Sequence, residues 1–376
     1  MEITEVDGVI CSGIKEGKLG LGLAKFNGSI AGVFTGNKIK AAPVIVCQEN
    51  ISKGYAKGLI VNSGNANAFT GEQGLSDAKE MCRIAAEIFG CRADEVAIAS
   101  TGVIGRKLDI EWIRKKTPEV YRDLGNSKEH AEKFSKAIRT TDKFVKKAFS
   151  KVAKISAVAK GAGMISPNLA TMLCFAFTSA KFESGELYEI LRKAVKPLNR
   201  LTVDGDTSTN DTVLLIATGR EKISRDIFEE ELGKVFYSIA KQIARDGEGA
   251  TKVFEVIVNG AKSEKSAEIA AKAVANSLLV KTAVFGCDPN WGRIIAALGY
   301  SGAEVDEKIT VAFENEEKSV LLVDHGRLTG REEEARGIMK GDFRILIDLH
   351  KGNCSDYAIG CDLSYEYVKI NSEYTT

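Results

Sequence analysis

Histidine is scarce in this chain: 376 residues contain three, His130, His325 and His350. His130 lies in a charged stretch, Ser127-Lys-Glu-His-Ala-Glu132, which reads as a solvated helical face. His325 sits in an Asp-His-Gly turn, and His350 ends an apolar run before Lys351-Gly352. None has metal-ligand spacing or a Gly-x-Ser-x-Gly partner, so zinc chemistry and a serine–histidine–acid triad are disfavoured. The Ser-x-x-Lys spacings at Ser12/Lys15 and Ser238/Lys241 carry so little information that chance accounts for them. Gly17-Lys-Leu-Gly-Leu-Gly22 does not complete a dinucleotide fingerprint and no Walker loop occurs, which leaves nucleotide binding without a motif.

Neither sign of charge dominates. Against 52 basic side chains stand 51 acidic ones, so there is no global field to attract nucleic acid or an anionic membrane, and a small-molecule substrate suits the balance better. No apolar run approaches the ~20 residues of a membrane span, and no basic, then apolar, secretory signal opens the chain. The eight cysteines are scattered, without a Cys-x-x-Cys pair. Several fall in apolar runs such as Met172-Leu-Cys-Phe-Ala176, which reads as buried, reduced thiols of a cytoplasmic protein. With five prolines and no Pro/Ser-rich linker or fixed-period repeat, nothing marks off independent modules.

What the chain does have is an ordinary globular composition, 44% hydrophobic and 27% charged, and length for roughly two to three domain-sized units. Strand-like and helix-like segments alternate. Strands are predicted at 58–62, 96–100, 152–159, 172–180, 212–218, 253–259, 308–313, 319–323 and 343–349. Helices are predicted at 76–89, within 108–148, and at 184–196, 226–245, 264–277 and 331–340. The class is mixed α/β, with sheets covered by helices.

One segment stands out: Lys160-Gly-Ala-Gly-Met-Ile-Ser-Pro-Asn-Leu-Ala-Thr-Met-Leu173. Local grammar alone describes a glycine loop entering a strand, with Thr171 its first residue. A second reading fits the shortage of histidine. A threonine freed as an N-terminus carries its own base, because its α-amine, with a pKa of about 7.7–8.0, sits beside its hydroxyl. Cleavage before Thr171 would expose it, with glycines supplying backbone freedom and the small Ala170 leaving its carbonyl accessible.

This segment closely resembles the cleavage segment of the ornithine acetyltransferase family, also called glutamate N-acetyltransferase. Further segments resemble the family in family order: Ile60-Val-Asn-Ser-Gly-Asn-Ala-Asn-Ala68, Ser100-Thr-Gly-Val-Ile-Gly105, Thr140-Thr-Asp142, Val203-Asp-Gly-Asp-Thr-Ser-Thr-Asn-Asp211, Arg245-Asp-Gly-Glu-Gly-Ala-Thr-Lys252, Gly286-Cys-Asp-Pro-Asn-Trp-Gly-Arg293 and the C-terminus from Asp362 to Thr376. The resemblance implies a layered α/β sandwich of stacked sheets flanked by helices, of the N-terminal-nucleophile kind. It further implies self-cleavage between Ala170 and Thr171 into an α chain, 1–170, and a β chain, 171–376, with Thr171 as nucleophile. Acetyl transfer from N-acetyl-L-ornithine to L-glutamate follows from it, acetyl-CoA being a further donor in some relatives.

Residue by residue, the resemblance makes Thr101 and Gly102 the oxyanion hole. Lys160 is matched to the substrate's carboxylate, and Glu248 to the nucleophile's surroundings and the substrate's distal amine. Thr140 or Thr141, with Asn371 and Thr376, are substrate contacts. No metal or other cofactor is implied, and an (αβ)2 heterotetramer is the expected assembly. The Asp-rich 203–211 segment reads as a hydrogen-bonded turn supporting the nucleophile region, and Asp288–Arg293 as a rigid turn. One departure is Phe69, where the family often has cysteine; it touches packing near that loop. Two alternatives stand beside this reading: a related N-terminal-nucleophile aminopeptidase or amidohydrolase, and a non-catalytic amino-acid-binding protein.

Overall fold

Continuous and alternating apolar runs build two sheets, one in each of two compact units. The computed structural model describes residues 1–166 and 172–373. The first unit comprises Met1–Asn199 and Thr207–Ile239; the second comprises Arg200–Asp206 and the chain from Ala240 onward.

In the first unit an eight-stranded sheet runs in the order Val96–Val103, Tyr55–Asn65, Leu19–Phe34, Thr212–Glu221, Leu173–Ala180, Ile155–Lys160, Lys146–Ser150, with Ile10–Glu16 pairing onto Leu19–Phe34. Two pairings are parallel, Tyr55–Asn65 with Val96–Val103 and Leu173–Ala180 with Thr212–Glu221; the others are antiparallel. Leu173–Ala180 is buried at every position, as a strand covered on both faces must be. Helix Gly71–Phe89 turns Ala78, Met81, Cys82, Ala85 and Phe89 inward and stops at Gly90 in the left-handed region. Helix Lys128–Ala137 docks closely on the sheet because Gly22 has no side chain: a Cβ there would stand 3.0 Å from the Phe134 ring. Phe134 then meets Phe175 edge-on at 6.2 Å.

The second unit holds a seven-stranded sheet in the order Arg327–Leu328, Ser319–Asp324, Thr310–Glu314, Phe343–Asp348, Val253–Ala261, Cys354–Cys361, Leu201–Thr202. Helix Glu264–Asn276 buries an alanine-rich face, Ala267, Ala270, Ala271 and Ala275 with Val274, in this unit's core. Among the described residues, no helix is long and apolar enough to cross a membrane.

The mixed α/β class matches the prediction, and most predicted elements are present within a few residues. Four readings need correction. The helical expectation within 108–148 overran: helices cover Ile110–Arg122 and Lys128–Ala137, while Lys146–Ser150 is a strand that buries alternate residues. The strand predicted at 152–159 begins only at Ile155, after a turn in which Lys154 takes a positive φ of 51°. Asp288–Arg293 is a turn only at first. The Asn290 side chain caps helix Trp291–Tyr300, which contains Trp291 and Arg293. Phe69 is exposed, with a positive φ of 56°, so it does not pack against the loop.

Candidate active site

Strand Val96–Val103 delivers Thr101 and Gly102 at its end, beside Ser63 and Gly64 of the parallel neighbour. Gly102 has φ 134°, and a Cβ on it would run into the Gly64 and Asn65 backbone, so this close approach of two strands requires glycine. Asparagines pin the surroundings. Asn62 Nδ2 donates to Asn65 O at 2.8 Å, Asn65 Nδ2 to Lys107 O at 2.9 Å, and the Asn67 amide to Asn65 Oδ1 at 2.8 Å. From a distant part of the chain, Asn210 Nδ2 donates to Ala66 O at 2.6 Å and to Ser100 O at 2.9 Å. The repeated asparagines of 62–67 therefore brace the backbone that presents Thr101.

Lys160 closes strand Ile155–Lys160 and is 7% exposed. Its Nζ donates to Thr101 Oγ1 at 3.3 Å and lies 4.0 Å from Asp142 Oδ2. Its cross-strand partner is Leu173, and the Thr212 amide donates to Met172 O at 2.8 Å. Leu173 thus lies beside Lys160, with Met172 one position before it. Ala170, Thr171 and Thr376 lie outside the described residues.

Asp142 is the electrostatic centre of this corner. Its Oδ1 accepts from Lys146 Nζ and from the Gly161 amide at 2.6 Å; its Oδ2 accepts from the Thr140 amide at 3.0 Å. Burial alone would raise the carboxyl's pKa, but Lys160 and Lys146 outweigh it and hold the group below the usual carboxylate range. Lys15 donates to Arg139 O at 2.6 Å, Ser63 Oγ at 2.8 Å and Lys18 O at 3.3 Å. Burial, then the charge of Lys160, pushes its pKa down to about 8, against the pull of Asp142. Asp211 is the converse case: burial raises its carboxyl well above normal, although Ser208, Thr35 and Lys160 favour ionisation. The glycine-rich segment that follows Lys160 is held at Gly161 by Asp142 and at Ser166, whose carbonyl accepts from Thr207 Oγ1 at 2.7 Å.

In the second unit, Glu248 is nearly buried and its Oε2 accepts from Asn371 Nδ2 at 3.0 Å. The turn around it is fastened by the C-terminal motif: Ser364 Oγ donates to Gly249 O at 2.6 Å, and Asp362 Oδ1 accepts from the Thr251 amide at 2.7 Å.

Of the residues singled out from the sequence, Thr101, Gly102, Lys160 and Thr140 therefore gather in one corner of the first unit, while Glu248 and Asn371 pair in the second. Thr140 and Thr141 are both partly exposed, and only Thr140 is tied to Asp142. Sequence reasoning missed Asp142, Lys146, Lys15 and Asn210 as site-forming residues. Asp142 and Asn210 were visible only as members of quoted motifs, Lys15 only in a spacing set aside as chance, and Lys146 only within a lysine-rich stretch read as helical. Ser12 and Lys15 form no dyad, since Ser12 donates to Asp123 at 2.6 Å. His130 caps its own helix through Ser127, and the exposed His325 and His350 stack on each other at 4.2 Å. Among the described residues no group of three or more His, Cys, Asp or Glu could hold a metal ion. A strand-end hydroxyl and glycine beside a lysine can hold a carboxylate and stabilise an oxyanion formed nearby.

Known proteins resemble the chain over nearly its whole length. A family model described as the ArgJ family matches residues 7–376. The arginine biosynthesis bifunctional protein ArgJ of Archaeoglobus fulgidus is 69% identical over 379 residues, covering 100% of both chains. The glutamate N-acetyltransferase of Methanosarcina mazei is 47% identical, covering 100% of this chain and 98% of that one. The crystal structure of the arginine biosynthesis bifunctional protein ArgJ of Bacillus halodurans is similar at a TM-score of 0.50 and 42% identity. It covers 53% of this chain and 98% of the solved one.

Proposed function

The chain belongs to the ArgJ family, and from that premise we propose that it moves acetyl groups from N-acetyl-L-ornithine to L-glutamate through an ester on Thr171, after cutting itself between Ala170 and Thr171. It is an acyltransferase of arginine biosynthesis. The observation that carries the mechanistic reading is the corner in which Thr101 and Gly102 meet Lys160, whose cross-strand partner Leu173 lies two positions beyond Thr171.

In maturation, the Thr171 hydroxyl attacks the Ala170 carbonyl, the peptide C–N bond breaks, and the Thr171 amine is released as an ester forms. Water opens that ester to leave the Ala170 carboxylate and a free Thr171. In turnover, the Thr171 amine takes the hydroxyl proton while Oγ attacks the acetyl carbonyl. Thr101 Oγ1–H and the Gly102 amide stabilise the oxyanion; the acetamide C–N bond breaks, and the proton passes to departing ornithine. Glutamate's amine reverses these steps and leaves as N-acetylglutamate. Lys160 pairs with the substrate α-carboxylate. Glu248 is assigned to the distal amine, with Thr140 or Thr141, Asn371 and Thr376 as further contacts.

Two facts support the self-cleavage. Strand Leu173–Ala180 lies between Ile155–Lys160 and Thr212–Glu221, and the latter pairs with Leu19–Phe34, so pieces 1–170 and 171–376 share one sheet and would stay together after a cut. The solved Bacillus halodurans chain is matched almost whole by about half of this one, as a protein parted in two would be. We extend the proposal to acetyl-CoA as a second donor, because the 69%-identical relative is called bifunctional. We extend it also to an (αβ)2 assembly and to a cytoplasmic setting, which suits eight free cysteines.

Intact masses of denatured wild type and Thr171→Ala decide the cleavage: two fragments meeting at Ala170/Thr171, and an uncut variant, are expected. Acetyl exchange with and without glutamate decides the reaction. An uncut but active wild type would overturn the Thr171 mechanism, and acetate release independent of glutamate would make the protein a hydrolase.

A further inference from the structure

Within the Thr140-Thr-Asp motif sits a carboxylate that the acetyl-transfer scheme leaves without a task. Resting on the function proposed above, we propose that Asp142 is a positioning residue: one carboxylate holds the Lys160 ammonium, the Thr140 amide and the Gly161 amide together, so that the substrate-binding lysine and the start of the cleavage segment are set jointly.

The two oxygens divide the work. Oδ1 takes the ammonium of Lys146 and the Gly161 amide, at 2.6 Å for the latter; Oδ2 takes the Thr140 amide at 3.0 Å and faces the Lys160 ammonium at 4.0 Å. Compensating the charge of Lys146, which is fully buried, would require only one of them. The other three donors all belong to segments the reaction uses. Asp142 and Lys146 side chains are both 0% exposed. Such a pair contributes little to stability compared with apolar residues of the same volume, so a stabilising role alone accounts poorly for it. Asp142 stands among cations on several elements: Lys146 at the start of the strand that follows it, Lys160 on the next strand, Lys15 on the first hairpin, and Arg139 before it in the same loop. Asp211 also feels the charge of Lys160, and burial favours its neutral form. Asp142 is therefore the negative charge that keeps three neighbouring lysines compatible with one another.

The test uses the full chain as wild type, Asp142→Asn, and Asp142→Asn with Lys146→Met. The double variant removes, together with the carboxylate, the buried lysine charge that faces it. Melting temperature, self-cleavage by intact mass, and the pH profile of acetyl exchange are measured for each. Asp142→Asn is expected to raise KM for N-acetylornithine roughly tenfold or more, with a smaller change in kcat, as loss of a charged hydrogen-bonding partner does. The alkaline limb of kcat/KM should move toward lower pH, because removing a negative neighbour weakens proton binding by Lys15. The double variant should recover the wild-type melting temperature and, with the Lys146 charge gone as well, part of the pH shift, yet keep the raised KM and slowed cleavage. Recovery of wild-type KM and cleavage along with stability would overturn the proposal and leave Asp142 a partner for Lys146 only. Absence of exchange in wild type would instead refute the function. Self-cleavage needs no substrate, so in that case equal cleavage of wild type and double variant would still overturn the role of Asp142.

Discussion

Replacing Thr101 by valine isolates the oxyanion assignment from packing. Valine exchanges a hydroxyl for a methyl of similar volume at a partly exposed strand end. The Thr101 oxygen accepts from Lys160 at 3.3 Å, and a hydroxyl that accepts still has its own proton to donate. Lys160 loses a long, weak hydrogen bond but keeps Asp142 at 4.0 Å, so substrate binding should change by only a few-fold. The transition state loses more. Removal of one oxyanion donor costs about 2.7–4 kcal/mol, or roughly 10²–10³ in kcat. The Gly102 amide remains and should preserve measurable turnover. The assay is steady-state acetyl exchange from N-acetylornithine to glutamate, with intact mass confirming the processing state and thermal unfolding confirming the fold. A folded, processed Thr101→Val enzyme with kcat within about threefold of wild type would refute the assignment, since no oxyanion donor is that dispensable. A raised KM at constant kcat would instead place Thr101 among the ground-state contacts.

Three further outcomes follow from neighbouring groups. Asn210→Ala should destabilise the first unit by about 2–4 kcal/mol, since it removes three side-chain hydrogen bonds and leaves two buried carbonyls without that donor; an unchanged urea midpoint would count against the bracing role. Asp211 has a folded-state pKa raised by burial, so its contribution to stability is complete below its unfolded pKa and declines as pH rises through the interval up to the folded value. Asp211→Asn should therefore gain stability over wild type as pH rises above about 4, and a difference that shrinks with pH in denaturant titrations would contradict this. Glu248→Gln keeps the shape of the Asn371 contact but loses the charge. It should lower kcat/KM for N-acetylornithine by about 10–100-fold while leaving the melting temperature nearly unchanged, and equal losses in both would make Glu248 structural.

The strand ends at Thr101-Gly102 and Lys160 were legible in the sequence because each closes an apolar run, Val96-Ala-Ile-Ala-Ser100 and Ile155-Ser-Ala-Val-Ala159, whereas their roles came only from the family resemblance. Such runs fix a strand, and the polar residue at the end is pushed to the sheet's rim. The first hairpin was not legible, although Leu19–Phe34 is 16 residues long. Its glycines, at 20, 22, 28 and 32, suppress strand propensity, and their purpose appears only in what packs over them. Asp142 was visible as the third letter of a motif and invisible as a site residue for a related reason. Its meaning depends on burial, and burial here is shared with Lys146, inside a lysine-rich stretch whose composition resembled a helix. The contacts that complete the corner are longer still: Lys15 reaches Arg139 across 124 positions and Asn210 reaches Ser100 across 110. No periodicity or spacing spans such distances. A catalytic group can therefore be read locally where it ends an element, while the residues that fix its charge and orientation can be read only after the sheet has brought remote strands together.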